Sequence, residues 1–248
     1  MSVPPEETLR ADLVSTAHAL HARGWVANHD GNVTAALGEG RYVATPTSVS
    51  KGAVTPESLI VVDLDGKKLA GTRGAFSEFK LHAAAYRARG DVQAVVHAHP
   101  PTATGLAVAG VALGEPFMAE PVVSLGPEIP LVPFGLPGQN DAAIADALAR
   151  ADVLMLANHG ALAVGPDLET CLLRLELLEH LCRIFVVARQ VGGPKRLPIE
   201  VVEPLAAKHR SLFPRNVRDL ASSYPSAPSA PAGDAGRVVA DALRRFGR

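Results

Sequence analysis

The chain has 248 residues, 48% of them hydrophobic, which is enough for one domain with a sizeable core. Its 24 Lys and Arg residues nearly balance 25 Asp and Glu residues, so the formal net charge is -1, which argues against nucleic acid or an anionic membrane as the main partner. No stretch reaches the roughly 18 uncharged apolar residues of a membrane span, so we expect a soluble, cytoplasmic protein whose partner is a small molecule.

In the first third of the chain, a predicted helix is followed by short predicted strands. Apolar residues at helical spacing over residues 5–23, with acidic residues in the first turn, indicate the helix. The β-rich runs that follow should be antiparallel, because Asp65-Gly66 within the last of them is a strong hairpin signal. These runs lie at residues 31–37, 41–45 and 59–71.

After residue 76, helices and strands alternate. A helix over residues 77–89, with Ser77 as its N-cap, precedes a strand at residues 94–99. A second strand, at residues 153–157, also follows a helix. The remaining helices are predicted over residues 140–150 and 167–191. Helices that flank a mixed sheet indicate the α/β class.

Composition divides the chain into a domain and a tail. Cys171 and Cys182 lie roughly 16 Å apart along one predicted helix, so they cannot pair and are expected to be reduced core residues. Residues 221–236 are rich in Pro, Ser, Ala and Gly and cannot bury enough apolar area to fold. We predict one domain over residues 1–220, followed over residues 221–248 by a disordered tail with a short terminal helix.

Histidines stand at the ends of two predicted strands. His97 and His99 point the same way because side chains alternate along a strand, so they could bind one metal ion or be two unrelated polar residues. His159 ends the next apolar strand, before Gly160, which would let the chain turn sharply. Glu78 opens a predicted helix, where an acid ordinarily stabilises the helix dipole.

The order of these motifs resembles that of the class II aldolase/adducin family. The segments are "GNVT", "TPTS", "SEFKLH", "VVHAHP" and "NHGALAVG", followed by a long leucine-rich helix, and the resemblance extends over residues 9–213. It implies a three-layer α/β/α fold with a mixed, mostly antiparallel central sheet. It also implies a homotetramer with active sites at the subunit interfaces.

The resemblance further implies roles for four residues. His97, His99 and His159 would hold Zn²⁺ or another divalent transition metal, and Glu78 would be either a displaceable fourth ligand or the acid–base. Three neutral imidazoles leave zinc an open position, and the ion could then stabilise an enediolate as a Lewis acid. The expected activity is that of a zinc-dependent lyase of the aldolase type in carbohydrate metabolism, which cleaves a C–C bond in a hydroxy-ketone such as a sugar phosphate.

The expected substrate site lies in turns rich in Gly, Thr and Ser, where N–H groups and hydroxyls could cradle a phosphate or simply form ordinary turns. The candidate residues are Gly31, Asn32, Thr47, Ser48 and Ser77. Relatives that use phosphate usually have paired serines before the catalytic acid, whereas this chain has Phe76-Ser77. A carboxylate, an aryl group or an uncharged substrate tail therefore stays open.

The general acid and the reaction also have alternatives. Aldolases of this family use a tyrosine downstream of the histidine pair, but the corresponding region of this chain has no tyrosine. Glu120 is the ionisable group there, and it would either act as the acid or hold a turn. Tyr224 in the tail could also reach an adjacent site. The same metal site could serve decarboxylation or dehydration of a hydroxylated acid or sugar, aromatic acids included. Epimerisation of a pentose phosphate is less favoured, because the epimerases of this family usually have aspartate at the position of Glu78. A non-enzymatic adducin-like module would be expected to lack the metal histidines.

Overall fold

The computed structural model describes residues 4–136 and 139–218, in which helices cover one eight-stranded sheet. The strands are β1 (Asn32–Gly38), β2 (Arg41–Ala44), β3 (Ile60–Asp63), β4 (Lys68–Ala70), β5 (Ala94–Ala98), β6 (Leu131–Val132), β7 (Val153–Leu156) and β8 (Gly160–Gly165). The α-helices are α1 (Glu6–Ala22), α2 (Phe79–Ala88), α3 (Pro101–Val108), α4 (Ala119–Ser124), α5 (Asp141–Arg150), α6 (Leu168–Gln190) and α7 (Ile199–Leu212). The predicted domain end at residue 220 and the predicted tail, with Tyr224, lie outside the described residues.

The sheet is mixed and mostly antiparallel, as predicted. Its strand order is β4-β3-β2-β1-β5-β8-β7-β6, and every neighbouring pair is antiparallel except β6 and β7. The hairpin between β3 and β4 turns where expected. Gly66 has a φ of 81° there, a left-handed conformation that glycine adopts without steric cost.

Helices cover both faces of the sheet, which confirms the three-layer α/β/α arrangement. Helices α1, α3 and α6 pack on the face that carries Val96 of β5, whereas α2 and α5 pack on the face that carries Val95. Because side chains alternate along a strand, His97 lies on the same face as Val95, beneath α2. The register pairs His97 with Asn32 of β1, so Asn32 points to this face as well.

Helix α6 supplies much of the core and holds both cysteines. Leu175 and Leu178 are fully buried in the cluster under this helix. Cys171 and Cys182 are buried and free, as predicted. Within the described ranges, no helix combines the length and apolar character needed to cross a membrane.

A buried ionic cluster ties the last described segment to the sheet. Asp152, which precedes β7, accepts hydrogen bonds from Arg89, Arg174 and Arg215 at 2.7, 3.0 and 3.0 Å. Burial by itself would raise the pKa of Asp152, but a hydrogen bond from His209 and the arginine charges lower it far below its usual range. The ionised carboxylate therefore joins α2, α6 and the segment after α7.

The start of α2 differs from the prediction. The helix begins at Phe79, so the expected N-cap role of Ser77 is wrong. The N–H of Phe79 donates to the carbonyl of Phe76 at 3.3 Å, which closes a turn before the helix, and the two rings pack together with centroids 5.9 Å apart. Glu78 occupies the N-cap position without a side-chain bond to the first turn, so its carboxylate is available for other partners.

Candidate metal and catalytic site

Three histidines from separate segments converge at one end of the central strands. His97 lies in β5, His99 directly follows β5, and His159 lies in the turn between β7 and β8. The Nε2 atom of His97 is 3.1 Å from the Nε2 atoms of both other rings. One ring nitrogen from each of the three histidines lies within 4.8 Å of the corresponding nitrogens of the other two. His97 is fully buried, while His99 and His159 keep 24% and 31% of their side chains exposed, so solvent reaches one side of the group.

The outer nitrogens of two rings are held by acceptors. His97 Nδ1 lies 2.9 Å from the carbonyl oxygen of Ala161, and His99 Nδ1 lies 3.0 Å from Oδ2 of Asp30. Since a carbonyl and a carboxylate can only accept, each Nδ1 carries the proton and each Nε2 presents a lone pair. Burial lowers the pKa of both imidazoles, which favours the neutral form. Two lone pairs 3.1 Å apart repel unless a cation lies between them, so this donor set fits a divalent transition metal.

Two glycines allow the backbone to pack closely around these rings. A Cβ at Gly160 would lie 2.5 Å from Cδ2 of His99 and 2.7 Å from the carbonyl oxygen of Ala98. The predicted turning role of Gly160 is wrong, because the left-handed residue of the turn is Asn158, with a φ of 56°. Gly160 instead begins β8, where only a hydrogen fits beneath His99. Gly31 has a φ of 66°, and a Cβ there would approach the carbonyl of His97.

Glu78 lies directly beside the three histidines. Its Oε1 is 2.9 Å from His159 Nε2, and its Oε2 is 3.7 Å from His97 Nε2. The amide of Asn32 donates to Oε2 at 2.7 Å. Burial alone would raise the pKa of Glu78, but the hydrogen bonds from His159 and Asn32 lower it well below its usual range. The geometry accommodates both expected roles of Glu78, as a displaceable ligand and as an acid–base.

The predicted substrate residues occupy different environments. The Asn32 side chain is buried and contacts Glu78, whereas Thr47, Ser48 and Ser77 are exposed. The N–H of Thr47 donates to the carbonyl of Gly74 at 3.0 Å, which joins two loops near α2. Among the described residues, no side-chain hydrogen bond links Thr47, Ser48 or Ser77 to the histidines.

A buried lysine, which was not predicted from the sequence, connects the residues next to the two predicted anion-binding turns. Lys51 is 2% exposed, and its Nζ donates to the carbonyls of His29 and Val49 at 3.0 and 3.2 Å. Burial lowers the pKa of Lys51, while the charges of Asp30 and Glu78 act in the opposite direction. An ammonium has three donors, so one remains after these two bonds.

Glu120 is exposed in the first turn of α4. In the part of the chain that the structure describes, no hydrogen bond or ion pair joins it to Glu78 or the histidines. The structure therefore brings together the predicted metal residues and Glu78, but not this second predicted acid. The sequence offered no signal for the roles of the partly exposed Asp30 and the buried Lys51, beyond their place beside the "GNVT" and "TPTS" segments.

A cavity of about 160 Å³ opens beside Glu78 and His159. Its walls are mostly apolar, with two amide side chains. The other lining side chains are Leu81, Phe134, Leu136, Asn140, Leu156 and Asn158. Phe134 is 61% exposed at its edge. The cavity gives a small molecule room next to the carboxylate.

Comparisons with known proteins agree with this geometry. Residues 11–186 match the family model described as Class II Aldolase and Adducin N-terminal domain. The chain is 30% identical over 203 residues to 5-deoxy-D-ribulose 1-phosphate aldolase of Bacillus thuringiensis, covering 80% of this chain and 94% of the relative. It is 31% identical over 188 residues to 3-oxo-tetronate 4-phosphate decarboxylase of Escherichia coli K12, covering 73% and 88%. The crystal structure of YgbL from Klebsiella pneumoniae superposes with a TM-score of 0.74 and 28% identity, covering 82% of this chain and 100% of YgbL.

Proposed function

Because the chain belongs to the class II aldolase and adducin family, we propose that it is a metal-dependent lyase that cleaves a C–C bond in a phosphorylated hydroxy-ketone. The observation that carries this proposal is the convergence of three imidazoles beside the carboxylate of Glu78, with His97 Nε2 lying 3.1 Å from the Nε2 atoms of His99 and His159. A sugar phosphate with an aldol linkage is the substrate class that suits this arrangement.

His97, His99 and His159 are the proposed ligands of one divalent ion, with zinc the first choice and another transition metal the alternative. A bound ion of this kind would supply Lewis-acid stabilisation of the negative charge that develops on substrate oxygen. Asp30 and the carbonyl of Ala161 hold two of the rings by Nδ1, which keeps each Nε2 directed at the common centre.

Glu78 is the proposed base. Asn32 holds Oε2, while Oε1 is turned toward His159 and the open side of the site. In the direction of condensation, Glu78 would remove a proton from the carbon next to the substrate carbonyl. In the direction of cleavage, the aldol hydroxyl would lose its proton to solvent as the C–C bond breaks, and Glu78, after taking up a proton from solvent, would deliver it to the carbon that carried that bond. Its lowered pKa supports the ionised form at neutral pH.

An anionic substrate tail is supported by two observations. The ammonium group of Lys51 binds the carbonyls of His29 and Val49, which lie next in sequence to the "DGNVT" and "TPTS" segments. Both relatives described above have names that include a phosphorylated substrate. The ring of Phe76 packs against His82 and Phe79, with centroids 5.3 and 5.9 Å apart, so it supports α2. We therefore favour phosphate over an aryl group in this part of the site, with Gly31, Ser48 and Ser77 as further contacts.

Decarboxylation is the second candidate, because the decarboxylase of Escherichia coli is as similar to this chain as the aldolase is. In that reaction Glu78, after taking up a proton from water, would protonate the carbon from which CO₂ departs. The two reactions are distinguished by product: an aldehyde for the lyase reaction and CO₂ for decarboxylation. Glu120 is the proposed acid for dehydration, a further alternative beside epimerisation.

The assembly and the location are also proposals. A homotetramer with active sites at its subunit interfaces would allow the exposed Glu120 to act at a neighbouring site, and light scattering would measure its mass. Two buried free thiols, Cys171 and Cys182, are compatible with a reducing compartment and support a cytoplasmic location.

A substrate screen with the purified protein tests the proposed reaction. Ketose 1-phosphates and 3-oxo acids with a terminal phosphate are supplied before and after chelation, and both aldehyde and CO₂ are measured. We expect aldehyde release that chelator abolishes and zinc restores. Metal-dependent release of CO₂ without aldehyde would contradict the aldol cleavage and support decarboxylation. Turnover that persists without metal would contradict both reactions as proposed.

A further inference from the structure

A row of buried polar side chains leads from Glu78 away from the three histidines. The amide nitrogen of Asn32 donates to Glu78 Oε2 at 2.7 Å, and His82 Nε2 lies 2.6 Å from Asn32 Oδ1. On the far side of the same imidazole, Nδ1 lies 2.8 Å from the hydroxyl of Thr34, which lies 2.8 Å from the hydroxyl of Tyr86. These five residues form a single unbranched row of hydrogen bonds.

The spacing of the row follows from a helix lying along a strand. Glu78 at the N-cap position of α2 and His82 and Tyr86 within the helix follow one another at four-residue intervals, about 6 Å per step, and therefore lie along one side of the helix. Asn32 and Thr34 are two residues apart on β1, about 6.6 Å, and share one face of the strand. The two repeats nearly match, so side chains from helix and strand alternate along the row.

The chemistry of the row permits one arrangement of its protons. The ionised Glu78 can only accept, so Asn32 must turn its NH₂ toward the carboxylate and its oxygen toward His82. His82 must then carry its proton on Nε2 and accept at Nδ1 from the hydroxyl of Thr34. The oxygen of Thr34 is left to accept from Tyr86. Burial lowers the pKa of His82 to about 3 and raises that of Tyr86, so both remain neutral at neutral pH.

We propose that His82 is a positioning residue for the reaction: in its Nε2–H tautomer, with Nδ1 accepting from the hydroxyl of Thr34, it fixes the orientation of the Asn32 amide that holds Glu78. The opposite tautomer would require the Asn32 amide to flip. The amide oxygen would then face Glu78 Oε2 at about the present 2.7 Å, and two hydrogen-bond acceptors at that distance repel. The carboxylate would then lose its anchor beside the histidines. This role rests on the proposed function of Glu78 as the base.

Thr34→Val tests the proposal because it keeps the side-chain shape and removes the hydroxyl that Nδ1 requires. We expect kcat to fall by about tenfold to a hundredfold, with KM and metal content near the values of the wild type. Thr34→Ser restores the hydroxyl and should recover most of that loss. Thr16→Val removes another buried threonine hydroxyl, on α1, and serves as the matched control.

Nitrogen chemical shifts of ¹⁵N-labelled histidine provide a readout that does not depend on turnover. In the wild type, His82 should be protonated at Nε2 and unprotonated at Nδ1. In Thr34→Val, the protonated fraction at Nδ1 should rise. A wild-type His82 protonated at Nδ1 would overturn the proposal, even if every Thr34 variant failed to fold.

The outcomes separate this inference from the proposed function. Loss of kcat in Thr34→Val with a shifted tautomer and recovery in Thr34→Ser supports the positioning role. Equal losses in both variants, unchanged kcat in Thr34→Val, or loss of metal along with activity would assign the row to fold stability and overturn the inference. A wild-type protein that binds metal but cleaves no substrate contradicts the proposed function, whereas the tautomer of His82 is still decided by its nitrogen shifts.

Discussion

Replacing Glu78 with glutamine separates a role as base from a role in holding the metal. Glutamine has the same length, and its amide oxygen can still accept from Asn32 Nδ2, which lies 2.7 Å from Oε2 in the wild type. The side chain is 27% exposed, so a neutral amide can be accommodated without a large loss of stability. What the variant loses is the capacity to take up and return a proton.

The expected size of the effect follows from that loss. The three histidines supply three ligands without Glu78, so metal content should stay near that of the wild type. The value of kcat should fall by at least about 10²-fold, the scale of general-base removal, or about 2.7 kcal/mol in activation free energy. Steady-state kinetics and elemental analysis on the same preparation measure both quantities, with the exposed Glu7→Gln as control. Full activity would refute the base assignment, and loss of metal would make Glu78 a required ligand.

Three further predictions concern the support of the site and the stability of the fold. Asp30→Asn should weaken metal binding by about 10- to 100-fold in competition with a chelator, because it removes the charge that holds the His99 ring. Gly160→Ala should lower metal content, since the new Cβ would lie 2.5 Å from His99 Cδ2; unchanged content would refute this packing argument. The pKa of Asp152 is lowered by folding, so its stabilising effect is present above the unfolded carboxyl pKa and is lost as the pH falls below about 4; a Tm that stays constant down to about pH 3 would contradict this.

Elements with long periodic patterns could be predicted, whereas short and unusual ones could not. The helix predicted over residues 167–191 is α6, and the hairpin at Asp65-Gly66 joins β3 to β4. Helix α3 was missed because Pro100 and Pro101 suggested only the end of a strand, although proline is favourable at the first position of a helix. Strand β8 was missed because it is central and buried on both faces, so its small apolar residues show no alternation.

The site could be predicted only in part, for a related reason. The histidines and Glu78 came from the order of motifs along the chain. Their supporting contacts depend on strand register, such as the pairing of Asn32 with His97, and register between distant segments cannot be deduced from one sequence. The positions of His82 and Tyr86 carried no prediction, because their hydrogen bonds depend on Asn32 and Thr34 of the neighbouring strand.

Metal stoichiometry tests most directly whether three histidines form the reactive centre. Wild type, His159→Ala and the exposed control His180→Ala are reconstituted with zinc, freed of excess ion and analysed for metal and protein. His159 is 31% exposed, so its removal should leave the fold intact. We predict about one ion per chain in the wild type and in His180→Ala, with most of it lost in His159→Ala. A wild type that retains no metal, or a His159→Ala variant that retains all of it, would contradict the metal site.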